Sequence, residues 1–549
     1  MNTMKRFSII LTCAVLVLIG TSCDRGDLSI NPNAAGENAI INPDLFVNRL
    51  TYELYNGGGV TDGYPNSKQE GPFWQVHRWN QYFVSNYSYY WGSNFYNWTN
   101  TANNFSILKY ATLLQQQATA QGAANTNQNV YLALAKFFKA YSFIWYSQRV
   151  GDIPFSQAGS ALVTTPKFDT QHDVYKGCLA ILDSANSLIG AYITRYPSAT
   201  NAVASAGDIY GLTNLQWQKV INSYKLRVLI SLSKRAVDNA DLNIPAQFAA
   251  IVNNPATYPI MTSNADNMVF KYNAAYNQYP IKLQGDTPYS QFANISSTFL
   301  NLTTATMDPR TFIAATPAPA QLTGKTAPIN FSSLWSAFVG ADPGVAQGTI
   351  NTNSANGVYS FTNYNYYASA AGSTCEPAII MGYPEVCFNV AEGINRGWAT
   401  GNDGQWYLNG VNASLAFYTA TYPTFKDGGV FAIADKAGNS LGTATISFST
   451  FLTNIAYQGG AAGLTQILQQ KYIAMWQNSG WEPFYNWRRT GIPAFSQGGA
   501  GIGTSNNQIP VRWLYDNNEI VANSSNYSAA IQSQYGGTDD ITKAMWLIK

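Results

Sequence analysis

Apolar side chains recur at helical spacing in several separate blocks of the chain. Residues 43–55 form the first. Phe105, Leu108 and Ala111 then share a helix face with Gln115, and Leu134, Phe137, Phe138, Tyr141, Ile144 and Trp145 share another. The Gly-, Ala- and Asn-rich stretch 120–128 between them predicts a short connection and an antiparallel pair. Gly151-Asp152-Ile153-Pro154 ends the second member, since Pro has no N–H with which to continue the ladder. A further pair is predicted over 174–188 and over Trp217, Val220, Ile221, Tyr224 and Val228, divided by Gly207-Asp208. Helices over 385–396 and 411–422 come late. Leu464, Ile467, Leu468, Lys471, Met475 and Trp476 mark another over 464–477, with the aliphatic stem of Lys471 counted into the buried stripe and Gly480 as its stop.

Past Gly480 the pattern changes. Trp481-Glu482-Pro483, aromatics through Trp487, and Arg488-Arg489-Thr490-Gly491-Ile492-Pro493 predict a densely specified turn, with the arginines packed on backbone carbonyls and the Glu482 carboxylate. Residues 253–374 are rich in Pro, Gly, Ser, Thr and Asn without a sustained period, and are expected to be long loops with short strands at most. The fold expected is mainly α. A tetratricopeptide-like scaffold of helix pairs over about 37–240 and 375–495 carries this loop-rich insertion, although no clean repeat of about 34 residues is visible.

Composition narrows the function. Only 11% of the 549 residues are charged and the net charge is +2, so the surface must be polar but uncharged, and no basic footprint for nucleic acid exists. Lys5 and Arg6 precede an apolar run, 7–19, too short to span about 30 Å of hydrocarbon; it reads as a signal peptide, residues 1–22, ahead of a single domain over 23–549. Gly20-Thr21-Ser22-Cys23 resembles a lipobox, which makes Cys23 the expected lipidation site. No later stretch has the roughly 20 apolar residues of a membrane helix, so the mature chain is expected to be anchored by lipid. Once Cys13 and Cys23 are set aside, Cys178, Cys375 and Cys387 form no disulfide framework. His77 and His172 are too few for a zinc site, and neither a metal nor a cofactor is expected.

Residues 73–98 interleave Phe73, Trp74, Trp79, Tyr82, Phe83, Tyr87, Tyr89, Tyr90, Trp91, Phe95, Tyr96 and Trp98 with Asn80, Gln81, Asn86, Asn94 and Asn97. Rings and amides together suit a sugar ligand, because pyranose faces stack on aromatic rings while hydroxyls bond to amides; core packing is the competing reading. The ligand-binding candidates are Trp74, Trp79, Tyr89, Tyr90, Trp91, Tyr96 and Trp98, joined from the insertion by Tyr276, Tyr279, Tyr289 and Trp335. The stretch brings no carboxylate pair, as glycoside hydrolysis requires, between Glu70 and Asp152. Glu385 and Glu392 lie seven apart on one helix, but Arg396 four residues after Glu392 makes a helix ion pair the simpler reading. No catalytic residue is expected.

Several separated motifs carry one resemblance. The 464–493 segment resembles the "QKY" helix and "RRTG-P" signature of the SusD/RagB-like outer-membrane lipoproteins. Asp308-Pro309-Arg310, the Glu385–Gly397 run, Pro510-Val511-Arg512 with Glu519 and Asn523, and Asp539-Asp540 with Trp546 resemble further family motifs in the same order. Leu514-Tyr515-Asp516 lacks the family's usual Pro. The resemblance implies four tetratricopeptide-like units facing a SusC-like TonB-dependent β-barrel transporter. It also implies an outer-membrane, surface-exposed protein that binds a nutrient and catalyses nothing. An oligosaccharide is the expected ligand, a peptide is an alternative, and a glycan-processing enzyme is a third reading.

Overall fold

The computed structural model describes residues 39–549, other than 56–70, 89–91, 97, 99–100, 102–104, 122–129, 161, 198–207, 281–292, 364–365 and 368–374. The signal segment, Cys23, Tyr89, Tyr90, Trp91, Tyr289 and most of the 120–128 connection therefore lie outside the described residues. Pro43–Lys549 is one compact unit.

Among the described residues, nine helices carry the scaffold. They are α1 (Pro43–Tyr55), α2 (Phe105–Gln121), α3 (Val130–Val150), α4 (Gln171–Arg195), α5 (Asn214–Ser231), α6 (Tyr383–Asn395), α7 (Asp403–Thr421), α8 (Gly460–Ala474) and α9 (Glu482–Thr490). Local chemistry sets several boundaries. Thr170 accepts a bond from the Asp173 amide to open α4, and Thr213 and Gln216 close a reciprocal capping box on α5. Gly491, at φ +74, ends α9 in the left-handed conformation. Neighbours in sequence stack in space: α1 on α2, α2 on α3, α3 on α4 and α4 on α5. Next α6 packs on α5, and α7 and α8 pack on α6. The α3 helix is buried on almost every side, as expected of the middle layer of a stack. The fold is mainly α, as the spacing predicted.

Three details differ from the sequence expectation. First, the run after Trp481 is the helix α9, not a turn. Pro483, Phe484, Tyr485, Trp487, Arg488 and Arg489 are all buried, so no polar face exposes a period. Second, α8 stops at Ala474; Gln477, Ser479 and Gly480 take positive φ and make the turn there. Third, the insertion holds the helices Ser297–Ala305, Arg310–Ala314 and Gln347–Ala355. The first is hidden by its threonines. Ser296 caps it, and the Thr303, Thr304 and Thr306 hydroxyls bond back onto carbonyls of the same turns. Short strands complete the insertion: Phe83–Ser85 pairs with Ala293–Ile295, Met268–Phe270 with Ala378–Met381, and Ser440–Thr445 with Val430–Ala434 and Ile329–Asn330. Arg310 of the DPR motif grips Asp308 and reaches Ser414 on α7 at 2.9 Å and Gln470 on α8 at 2.5 Å, tying insertion to scaffold.

The last helices meet around buried charge. Arg227 on α5 forks onto both oxygens of Glu385 on α6, at 2.7 and 2.6 Å. Arg489 on α9 forks onto Glu392 at 2.5 and 2.9 Å, and Arg396 adds the expected i,i+4 pair at 2.8 Å. Arg489 thus takes Glu392 rather than Glu482. Arg488 meets the predicted backbone carbonyls, those of Val511 and Gln148. Cys178 and Cys387 are buried free thiols and Cys375 is a half-buried one.

Burial alone would raise the Glu392 carboxyl, but the Arg489 charge and hydrogen bonds outweigh it and hold the group at about 2, against an ordinary 4.5. A depressed carboxyl stabilises the fold at neutral pH, and that contribution fades as pH falls from 4.5 toward 2. Glu392→Gln strands a buried Arg489, and denaturant unfolding at pH 7 is expected to show a loss of about 3–5 kcal/mol. The loss should shrink as pH approaches 2. A loss unchanged between pH 7 and pH 3 would contradict this assignment.

Candidate functional site

The amides of residues 73–98 have a structural use that periodicity alone does not reveal. The irregular turn after α8 leaves backbone groups that no helix satisfies, and the aromatic stretch supplies their partners. The Phe73 amide donates to Gln477 Oε1 at 2.6 Å, Asn80 Nδ2 to the Gly480 carbonyl at 2.7 Å, and Tyr82 OH to the Tyr472 carbonyl at 2.6 Å. Gln81 donates to the Ser496 carbonyl and accepts from the Ser496 amide, both at 2.7 Å. Tyr472 OH in turn donates to the carbonyls of Asn80 and Gln81.

The rings follow the amides inward. Trp79 stacks on Trp481 with centroids 5.6 Å apart, and Trp98 lies parallel to Trp513 at 4.2 Å. The Arg149 guanidinium sits 3.7 Å from the Trp145 ring centroid and 4.9 Å from that of Trp513. Tyr96 donates to the Trp79 carbonyl, and Tyr279 is stacked on Tyr367 and edge-on to Tyr272. Trp79, Tyr96, Trp98 and Tyr279 are all buried in the core. For these four candidates burial favours the competing reading, core packing. Burial also depresses His77, in the same stretch, to about 3, so it stays neutral at physiological pH.

Other candidates keep surface. Tyr276 is 88% exposed on a turn closed by two backbone bonds between Asn273 and Asn277, and Asn273 Oδ1 accepts from the Ala275 and Tyr276 amides. Trp74 and Trp335 are half-buried; Trp335 is stacked on Phe312 at 4.8 Å.

Two rings of the stretch that were not singled out from the sequence, Tyr87 and Phe95, are more than a third exposed. They flank the feet of a loop that Asn94 closes, its Oδ1 accepting from the Ser85 amide and its Nδ2 donating to the Ser85 carbonyl, each at 2.8 Å. Helix Gln347–Ala355 holds the loop from below. Gln347 Nε2 donates to the carbonyls of Ser85 and Gly92, and Asn351 Nδ2 to that of Asn86. The Phe95 ring lies against Gly503, where a Cβ would come within 2.1 Å of it. The signal that could have found them is the spacing of Ser85 and Asn94, a short polar residue and an amide able to staple a loop.

Carboxylates offer no pair here. Glu385 and Glu392 are each committed to arginine. Burial pushes Glu376 up to about 8; Tyr366 donates to it at 3.0 Å, and the groups that feel its charge are tyrosines and Cys375. Two roomier cavities, of about 480 Å³ beside α2 and about 410 Å³ beside the start of α5, are lined by none of the candidate rings.

A family model described as starch-binding and associating with the outer membrane matches residues 40–516. A SusD homolog from Bacteroides fragilis is 25% identical, covers 93% of this chain and 100% of its own, and superposes with a TM-score of 0.74. A second from the same species is 26% identical over 93% and 99%, with a TM-score of 0.71. A protein described as chitin-binding shares the fold at 20% identity, over 92% of this chain and 100% of its own, with a TM-score of 0.59. Comparison with curated protein sequences finds no match.

Proposed function

This chain belongs to the SusD-like family, described as starch-binding and associating with the outer membrane, and from that premise we propose that it captures a nutrient oligosaccharide at the cell surface and hands it to a SusC-like TonB-dependent transporter. Cys23 carries the lipid that tethers it, and the captured ligand is released unchanged. The observation that supports a glycan is the pairing of exposed rings with a stapled backbone. Tyr87 and Phe95 stand on a loop fixed by Asn94, Gln347 and Asn351, and Tyr276 stands on a closed turn. A ring already held in place loses little entropy when a sugar face stacks on it. No charged side chain occurs from Val84 to Trp98, which suits a neutral ligand.

Glycan and peptide arrays followed by calorimetry test the reading. Among Tyr87→Ala, Phe95→Ala, Tyr276→Ala and Trp335→Ala, at least one folded variant is expected to lose about 2 kcal/mol, near thirtyfold in affinity for the best glycan. Trp98→Ala, by contrast, should lose about 3–5 kcal/mol of stability. Capture of peptides alone, or affinity surviving all four surface variants, would overturn the glycan site. For the tether, labelled fatty acid should enter the wild-type protein and not Cys23→Ala; equal labelling of both refutes it.

A further inference from the structure

The charge cluster between α5, α6, α8 and α9 does not balance. Four cations, Arg227, Lys471, Arg488 and Arg489, meet three carboxylates, Glu385, Glu392 and Glu482. These seven are deeply buried apart from Glu482, whose side chain keeps 14% exposure, and the partly exposed Arg396 adds a second cation on Glu392. Glu385 is taken by Arg227 and Glu392 by Arg489, while Glu482 reaches Arg227 only at 3.9 Å. Lys471 is left with the amide oxygens of Asn389 and Asn486, at 2.7 and 2.9 Å. Arg488 has two carbonyls, and its Nε–H has no acceptor. Burial pulls both the Lys471 ammonium, to about 8, and the Arg488 guanidinium downward.

Two small cavities touch these groups. One of about 10 Å³ is lined by Arg227, Lys471, Glu482, Arg488, Arg489 and Asn486 among others, so that one carboxylate faces four cations there, and a neighbour of about 20 Å³ is lined by Arg227, Trp481, Glu482 and Tyr485 among others. Tyr485 lines both, and its buried hydroxyl makes no hydrogen bond of normal geometry. Each space admits one small occupant. Water can satisfy the orphaned donors, but it leaves at least one buried positive charge without a counter-ion, and an uncompensated buried charge is costly.

We propose that the smaller cavity is a built-in site for a monatomic anion, chloride under ordinary conditions, which neutralises the excess charge of Lys471 and Arg488 where α5, α8, α9 and the C-terminal Leu547–Ile548 meet. Its size excludes phosphate, sulfate and carboxylates. The ion is structural: it locks the C-terminal signature to the scaffold independently of any nutrient ligand.

The test uses the wild-type protein with bromide as probe. Crystals soaked in sodium bromide and measured at the bromine edge should give an anomalous peak inside the cavity. Thermal unfolding at matched ionic strength should show Tm higher in sodium bromide or chloride than in sodium gluconate, rising with halide concentration as binding to the folded state requires. In Lys471→Met that halide dependence should vanish. Absence of a peak in the cavity, or a peak accompanied by identical Tm in halide and gluconate, overturns the proposal. The first outcome leaves water in the cavity, and the second leaves an adventitious ion.

Discussion

Buried charge between the last scaffold helices is the constraint on which the rest of the structure depends. Arg227 with Glu385, and Arg489 with Glu392, join α5, α6 and α9 through forked bonds that tolerate little displacement of either partner. Such pairs add little net energy over a well-packed apolar core, but breaking one is expensive, so they select one arrangement of the helices. Once α9 is fixed, the turn before it is fixed as well, and that turn is what the aromatic stretch completes. Position is therefore passed from ion pairs to helix α9, from the helix to the Met475–Gly480 backbone, and from there to residues 73–98.

This explains why the sequence was legible in some parts and opaque in others. A helix with one buried stripe and a clear cap, such as α4, can be read from spacing, and the family motifs, being tied to buried ion pairs, mark the C-terminal half. The α9 helix was not legible as a helix because it is enclosed on nearly every side and so carries no polar face. The Ser297–Ala305 helix was not legible because its threonines satisfy themselves within their own turns. Period is a signal of one-sided burial; it is lost in the short, enclosed α9 and where polar groups are locally satisfied, whereas α3, equally enclosed, stays legible through its long apolar run.

The same limit governs the candidate site. Aromatic and amide residues mixed without period read equally well as a sugar platform and as the lining of an irregular turn, since both need flat apolar faces beside hydrogen-bonding groups. Residues 73–98 divide between the two uses. Trp79, Trp98, Asn80 and Gln81 face inward, Asn80 and Trp79 onto the α8–α9 turn, Gln81 onto Ser496 and Trp98 onto Trp513, while Tyr87 and Phe95 remain at the surface on the loop that Asn94 closes. Sequence alone cannot make that division, because it depends on which residues reach Gly480 and Ser496 some 400 positions away.

In the proposed function, one half of residues 73–98 is scaffold and the other half meets the ligand. Hydrogen–deuterium exchange with and without the best glycan measures that division directly. Backbone amides of 85–96 and of the supporting helix Gln347–Ala355 should gain protection on binding, while 73–83 and 464–490, already slow, stay unchanged. Protection confined to the cavity beside α2, or spread through the α8–α9 turn with none at 85–96, would contradict it.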